Sequence, residues 1–323
     1  MNVSTKHLSV LGLLLFILVL SRIDIDATIQ SILDIPPTYI FACLLTVAAE
    51  VILRSARWKL LVDQYARDYT VGQSIHTLLM GVAFGAVTPA RIGDIIKAFD
   101  VRDHGVELKR AVSIEVVDRL LDMFYLFLSA FVGYIFLMMV YLGGQVNGIL
   151  VALIACAFIL FSLVLFHSSR ISFILTPIHR FLVPDRFKGQ STQLFTVFQD
   201  TLGRVRQPGL FIRLILLTGA WWTVLFIRPF ILVKGMGLDI SPLVFILVMP
   251  VVAVIEVLPI SLLGIGTRDV GLIAVFSLLS VPAELMIALS LMMLFLSILP
   301  QVFLGYFIAY MKGVSLNVFT KDE

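Results

Sequence analysis

The chain has 323 residues, of which 60% are hydrophobic and 14% are charged, and its mean hydropathy is +1.04. Soluble domains carry about 25% charged residues, so this composition excludes an ordinary soluble protein and predicts an all-α, polytopic integral membrane protein. Residues 1–323 form a single membrane domain in this interpretation, because no polar stretch is long enough for a separate one. The two cysteines and five histidines lack metal-ligand spacing. We therefore expect no metal, no cofactor and no nucleic-acid partner.

The first hydrophobic segments predict two helices joined outside the membrane. An apolar run indicates helix 8–22, and the loop after it, 23–35, carries three aspartates without a lysine or arginine. Cytoplasmic loops are enriched in lysine and arginine, so this loop belongs outside. The second helix spans 37–62 and ends in basic residues, which places that end in the cytoplasm.

The next segment, 71–99, is broken in the middle and has basic residues on both flanks. Both ends therefore face the cytoplasm, which predicts a re-entrant hairpin. Irregular backbone at membrane depth is tolerated only where protein or a wet cavity surrounds it. A long helix over 107–142 then crosses outward, and helix 149–167 returns.

Residues 168–213 hold seven lysines and arginines against two aspartates. This excess predicts a basic cytoplasmic segment at about 168–210, and cytoplasmic positions for both chain termini. Apolar residues recur within it at helical spacing. Part of the segment either lies along the lipid headgroups or forms a solvated linker, and the sequence leaves both open.

A helix over 211–233, interrupted at Arg228-Pro229, crosses outward, and a second broken segment occupies 243–280 before the last helix, 283–311. The second hairpin enters from outside, so the two hairpins are related by inversion, as in inverted-repeat transporters. The prediction is six full spans plus two inverted re-entrant hairpins, eight hydrophobic segments in total. Alternatively, residues 243–263 span fully, which makes eight spans.

The two breaks have similar chemistry, with prolines, glycines, a threonine and an Arg/Asp pair in each. They read Gly85-Ala-Val-Thr-Pro-Ala-Arg-Ile-Gly-Asp94 and Pro259-Ile-Ser-Leu-Leu-Gly-Ile-Gly-Thr-Arg-Asp269. Each threonine is placed to cap a half-helix, and a helix N-terminus beside an arginine attracts anions. Four residues are therefore candidate substrate contacts: Arg91, Asp94, Arg268 and Asp269. Alternatively, the arginine and aspartate of each break form a self-contained ion pair. The candidate backbone positions of the hairpins are Thr88, Pro89, Gly93, Pro259, Gly264, Gly266 and Thr267.

The long helix carries Glu115, Asp118, Arg119 and Asp122 at a spacing that puts them on one helical face. Charges within the membrane face a protein interior or a wet cavity, not lipid. Arg119 and Asp122 complete the predicted substrate contacts. The candidates for supporting or proton-coupling roles are Glu115, Asp118, Glu256, Arg228 and Arg54. A metal-dependent phosphotransfer role for the two aspartates is disfavoured, because Arg119 offsets their charge.

Four motifs in fixed order resemble the lysylphosphatidylglycerol synthase transmembrane family. They read Arg54-Ser-Ala-Arg-Trp-Lys-Leu-Leu61, Thr88-Pro-Ala-Arg-Ile-Gly-Asp-Ile-Ile-Lys-Ala98, Val116-Val-Asp-Arg-Leu-Leu-Asp122 and Leu258-Pro-Ile-Ser-Leu-Leu-Gly-Ile-Gly-Thr-Arg-Asp269. The likeness covers nearly the whole chain. Departures from the family pattern are Ala90 and Asp94 at the first break, and Leu262, Leu263 and Asp269 at the second. Arginine and carboxylate remain at both.

The resemblance implies a stand-alone, flippase-like member without the lipid-aminoacylating domain. We therefore expect no enzyme activity, and expect a flippase or scramblase that moves an anionic or zwitterionic lipid through the cytoplasmic membrane of a prokaryote. A membrane-embedded lipid-modifying enzyme or an accessory subunit of a glycolipid or phospholipid pathway is the alternative.

Overall fold

The computed structural model describes residues 21, 23–66, 68–143, 148–149, 151–160, 162–163, 185–257, 261 and 263–313. The predicted first helix at 8–22 therefore lies almost wholly outside the described residues. Pro259, the first part of the basic segment (168–184) and the last ten residues also lie outside them.

Every regular element in these ranges is a helix, which confirms the all-α class. In chain order the helices are α1 (Ile25–Leu33), α2 (Pro37–Val62), α3 (Val71–Ala86), α4 (Ile96–Arg102), α5 (Leu108–Val140), α6 (Val151–Leu160), α7 (Asp185–Val205), α8 (Pro208–Gly235), α9 (Pro242–Val257), α10 (Thr267–Phe276) and α11 (Ala283–Met311).

Four of the described helices, α2, α5, α8 and α11, are long and apolar enough to cross a membrane. Their number supports the membrane class but does not reach the six predicted spans. The run at 8–22 lies beyond the described residues, and the predicted helix 149–167 is described only in part, as α6. The six-span topology remains a prediction.

The segment predicted as an external loop contains helix α1. Asp24 caps this helix, because its carboxylate accepts a hydrogen bond of 3.0 Å from the Ala27 backbone N–H. The helix packs against the first half of α11. The loop interpretation was wrong because it used charge alone, and the distant packing partner gives no local signal.

Helix α8 runs without a break through Pro229, so the predicted interruption at Arg228-Pro229 is also wrong. An interior proline removes one helical hydrogen bond and is destabilising by about 3 kcal/mol. Extensive packing against α2 offsets this loss. Buried Arg228 also donates to Glu50 of α2 at 2.5 Å, which fixes the helix at the proline.

Helix α7 argues against a solvated linker over the C-terminal half of the basic segment, while contact with lipid headgroups stays a prediction. Leu202 and Val205 are fully buried against the N-terminal part of α5, together with other apolar side chains. Lys109 of α5 donates to Gln193 of α7 at 2.6 Å, and Arg110 pairs with Asp200. This part of the segment is a packed amphipathic helix and not a solvated linker.

Helices α3 and α9 are each followed by a break and a second short helix. Each has 16 residues and is about 24 Å long, which is shorter than the ~30 Å hydrocarbon core. After α3, a 3₁₀ turn over Pro89–Ile95 leads into α4, while α9 leads through the second break into α10. Helix α3 packs on the second half of α11, and α9 packs on α5 and α10.

Helix α11 is continuous but changes its winding in the middle, where Leu294–Ile298 form a π-helical turn. Its first half contacts α10 and α1, and its second half contacts α3. One helix thus contacts both broken segments, and the wide turn separates the two contact regions.

The crossing of α5 and α9 depends on Gly133. A Cβ atom at this position would lie 1.9 Å from the Leu247 carbonyl oxygen, so Gly133→Ala forces the two backbones apart. We expect the substitution to lower the thermal unfolding temperature in detergent by an amount that corresponds to roughly 1–3 kcal/mol. Gly219→Ala is the control, because its Cβ would meet Tyr125 at an ordinary 3.6 Å. Equal stability of the two variants would contradict this packing.

Candidate functional site

The first break folds back tightly on the end of α3. Thr88 lies at the N-cap of the 3₁₀ turn, where its hydroxyl accepts from the Gly93 N–H at 2.7 Å and donates to the Phe84 carbonyl at 3.0 Å. A Cβ atom on Gly93 would lie 2.2 Å from the Phe84 oxygen, and one on Gly85 would lie 1.9 Å from Asp94 Oδ1. A side chain at Gly93 would strike the α3 backbone, and one at Gly85 would displace the Asp94 carboxylate, so the two glycines let the turn bring Asp94 against α3.

Arg91 projects from this turn in a strained conformation. Its φ is 55°, in the left-handed region that non-glycine residues rarely adopt. Such strain persists only where the surrounding structure holds it, and it occurs often at functional sites. The Arg91 side chain is 47% exposed, and its Nε lies 3.5 Å from Asp94 Oδ2. Asp94 itself is buried and also pairs with Arg119.

The second break uses glycines with positive φ, Gly264 at 75° and Gly266 at 90°. Helix α10 begins at Thr267, so Gly266 is the N-cap and the predicted capping role of Thr267 is wrong. Asp269 supplies the cap instead, since its carboxylate accepts from the Gly266 N–H at 2.7 Å. The Thr267 hydroxyl shares a hydrogen bond of 2.5 Å with Ser261.

Arg268 is buried and held by the helix that follows. Its guanidinium donates to the Ser290 hydroxyl at 2.8 Å and to the Ser290 carbonyl at 3.0 Å, and its Nη1 lies 3.6 Å from Glu256 Oε1. The pairing proposed as an alternative, arginine with the aspartate of its own break, is thus present at Arg91 and Asp94. At the second break Arg268 pairs with Glu256.

The charged face of α5 points into the protein and meets cations from two other elements. Arg57 of α2 lies 2.8 Å from Asp118 and also pairs with Asp122. Lys97 of α4 lies 2.5 Å from Glu115 and 3.1 Å from Asp118. We call this group the ionic cluster; its members are Arg57, Asp94, Lys97, Glu115, Asp118, Arg119 and Asp122.

A second group of charged side chains links α2 to α8 and α11. Glu50 of α2 pairs with Arg54 at 3.0 Å and with Arg228 at 2.5 Å. Arg228 also donates to Thr46 at 3.0 Å and to Ser297. The Arg54 guanidinium lies 5.1 Å from the centre of the Trp221 ring, within the range of a cation–π interaction.

Exposure divides the predicted substrate contacts into two sets. Arg91 and Arg119 are accessible, with 47% and 31% of their side chains exposed, and Glu256, predicted for a supporting role, is also 31% exposed. The other four predicted contacts, Asp94, Asp122, Arg268 and Asp269, are buried. Their protein partners are, in the same order, Arg119, Arg57, Ser290 and the Gly266 N–H.

The accessible residues belong to one region of the molecule. Arg91 and Arg119 share the Asp94 carboxylate as a partner, which brings the first break and α5 together, and Glu256 at the end of α9 lies within electrostatic range of Arg91. Asp94 pairs with both arginines, but each guanidinium has five N–H donors, more than one carboxylate can accept. The two arginines can therefore also bind a phosphate group, with Glu256 placed for a cationic group of the same ligand.

Two residues of the site were missed by the sequence interpretation. Lys97 was counted as a basic flank of the hairpin, but it is buried, and its ammonium lies 4.2 Å from the centre of the Trp58 ring. Gly85 stood in the motif without a role. Lys97 follows Asp94 by three residues, one helical turn, and this spacing within an apolar return segment was the available signal.

The burial of Arg57 generates a stability prediction. Arg57→Met leaves Asp118 and Asp122 without this partner in a buried position, which we expect to be destabilising by about 3–5 kcal/mol. Lys59→Met on the same helix is the control. Lys59 pairs with Asp63 at a partly exposed position, where an ion pair contributes about 0–1 kcal/mol. Thermal unfolding in detergent measures both; a smaller effect at Arg57 than at Lys59 would contradict the role assigned to the cluster.

Comparison with known proteins gives one family. The family model described as the lysylphosphatidylglycerol synthase TM region matches residues 7–305. No curated protein and no solved structure shows significant similarity to the chain.

Proposed function

The chain belongs to the family of the lysylphosphatidylglycerol synthase TM region, and from this premise we propose that it moves a membrane lipid with an anionic or zwitterionic headgroup across the bilayer as a flippase or scramblase. The family supports a lipid-related membrane function, and the site supplies the chemistry. The observation that carries the proposal is the accessible group formed by Arg91, Arg119 and Glu256 in an otherwise apolar protein.

The proposed headgroup contacts follow from the donors available. Arg91 and Arg119 offer planar guanidinium groups, whose paired N–H donors match phosphate oxygens. Asp94 holds both arginines from behind, and Glu256 is placed to contact a basic headgroup. The buried residues of the ionic cluster keep α2, α4 and α5 in register around this site.

The proposed path lies between the two breaks. In this proposal α3 with α4, and α9 with α10, are re-entrant hairpins that enter from opposite sides of the membrane. The short lengths of α3 and α9 support this arrangement. The turns at the breaks are also enclosed by protein, as irregular backbone at membrane depth must be. Six full spans and inverted hairpins belong to this proposal, as does the cytoplasmic membrane of a prokaryote.

Neutralising Arg91 tests the headgroup contact. We expect Arg91→Gln to fold normally, because the side chain is half exposed, and to lose at least about tenfold in lipid translocation, since a hydrogen bond to a charged group contributes roughly 1.5–3 kcal/mol. Arg91→Lys restores part of the rate. The assay follows a fluorescent phosphatidylglycerol in proteoliposomes.

Arg102→Gln is the matched control for this test. Arg102 is 45% exposed and pairs with the adjacent, exposed Asp103 at 3.2 Å, so this substitution removes a similar charge away from the site. Equal rates for the two glutamine variants would contradict the assignment of Arg91 to substrate.

The topology is tested by labelling single cysteines from one side of the membrane. With Cys43 and Cys156 replaced by alanine, we expect a cysteine at the exposed position Gln30 to react from outside, and one at the exposed position Thr196 to react from the cytoplasm. Labelling of both positions from the same side would refute the proposed orientation.

A further inference from the structure

A groove of about 250 Å³ lies among helices α5, α8 and α9. It is lined by Tyr125, Leu128, Ser129, Val132, Thr223, Phe226, Ile246, Leu247 and Pro250. Pockets for drug-sized ligands measure about 300–1,000 Å³, so this groove is suited to one slender group and not to a whole lipid.

The groove is apolar in effect, although two hydroxyls line it. Ser129 donates its hydroxyl to the Tyr125 carbonyl at 2.8 Å, and Thr223 donates to the Gly219 carbonyl at 2.7 Å. Both hydroxyls therefore satisfy their own helices. A hydrocarbon chain that enters this groove from the bilayer gains no hydrophobic free energy, because lipid is as apolar as the groove; it is held by close van der Waals contact with the lining side chains.

The groove is open along one side and closed at one end. Leu128 and Val132 are 37% and 47% exposed on a helix that is long and apolar enough to span a membrane. The medium beside this opening is therefore the acyl region of the bilayer. Next to Val132, the close approach of Gly133 to the Leu247 carbonyl closes the space between α5 and α9.

The other end of the groove points along α5 toward the ionic cluster. Asp122, Tyr125, Ser129 and Val132 recur at intervals of three and four residues, so they lie on one face of the helix. Tyr125 follows Asp122 by one turn, and Val132 lies about 15 Å along the axis from Asp122. On this face of α5, charged groups are thus followed by the apolar groove, just as the charged headgroup of a phospholipid is followed by its acyl chains.

We propose that this groove holds one acyl chain of a membrane phospholipid whose headgroup faces the ionic cluster. The inference rests on the proposed function for the identity of its ligand, since a lipid carried past Arg91 and Arg119 brings its chains along the wall of the protein. The groove would keep one chain in contact with α5 while the headgroup is bound.

The neighbouring Trp222 makes the occupancy measurable. Its ring stacks on Tyr125 at 6.1 Å and lies 5.4 Å from Phe226, both of which line the groove. Trp222 is only 5% exposed, so lipid on the outer surface of the protein has little access to it. A chain within the groove comes much closer.

The probe is phosphatidylglycerol with one acyl chain dibrominated in its middle, in nanodiscs that contain the full-length protein. Bromine quenches tryptophan fluorescence at short range, and the component that disappears in Trp222→Phe reports on Trp222. We expect strong quenching of this component in the native protein. Ser129→Leu and Thr223→Leu fill the groove from α5 and from α8. Each variant should lose most of the Trp222 quenching.

Met139→Leu is the control, because Met139 is 69% exposed on α5 outside the groove lining, and it should keep the native quenching. Equal quenching in the native and both filled proteins would overturn the proposal, and so would the absence of Trp222 quenching in the native protein. If one filled variant does not fold, the other decides.

Translocation measured on the same proteins separates the two proposals. Groove-dependent quenching without any lipid translocation by the native protein would refute the flippase function and leave the acyl-chain site supported. If the native protein translocates lipid but filling the groove leaves the quenching unchanged, the acyl-chain site alone would be refuted.

Discussion

The structure depends on the mutual neutralisation of charges that an apolar chain has placed in its own interior. A single buried ion is destabilising by several kcal/mol even after relaxation of the protein, and only close pairing with further hydrogen bonds offsets this. Arg57 and Lys97 supply that pairing to three carboxylates of α5. Because these cations come from α2 and α4, the long helix can take only one rotation and one height relative to its neighbours.

Backbone proximity is the second constraint, and it operates through glycine. Gly85 lets Asp94 lie against α3, Gly93 lets the turn touch the Phe84 carbonyl, and Gly305 lets α11 approach the Leu79 carbonyl, where a Cβ atom would be 2.1 Å away. Within membranes, helices associate through close packing of this kind, because lipid is as apolar as the side chains and no hydrophobic force drives them together.

Local rules predicted much of this fold. The bounds 37–62 agree with α2, and the predicted helix 107–142 corresponds closely to α5 at 108–140, since proline, hydrophobic length and charge spacing act within a few turns. Both breaks were also placed correctly. Helix α1 and the passage of α8 through Pro229 were not predicted, because each is stabilised by a helix distant in sequence.

The site was predicted in composition but not in pairing. Sequence spacing identified the charged face of α5 and the arginines at both breaks. It could not show that Arg268 reaches Glu256 and Ser290, whereas Arg91 remains half exposed. A count of positive charges along the sequence also cannot distinguish a lysine at the membrane surface from a buried one. Lys97 is buried against Trp58.

The π-helical turn in α11 has a mechanical consequence. One added residue per turn rotates the faces of the two halves relative to each other, so the first half can pack on α10 while the second packs on α3. Ser297, within the turn, bonds to Arg228 of α8, which anchors the rod at its midpoint. Both broken segments therefore rest on one helix, which is fixed at its midpoint to α8.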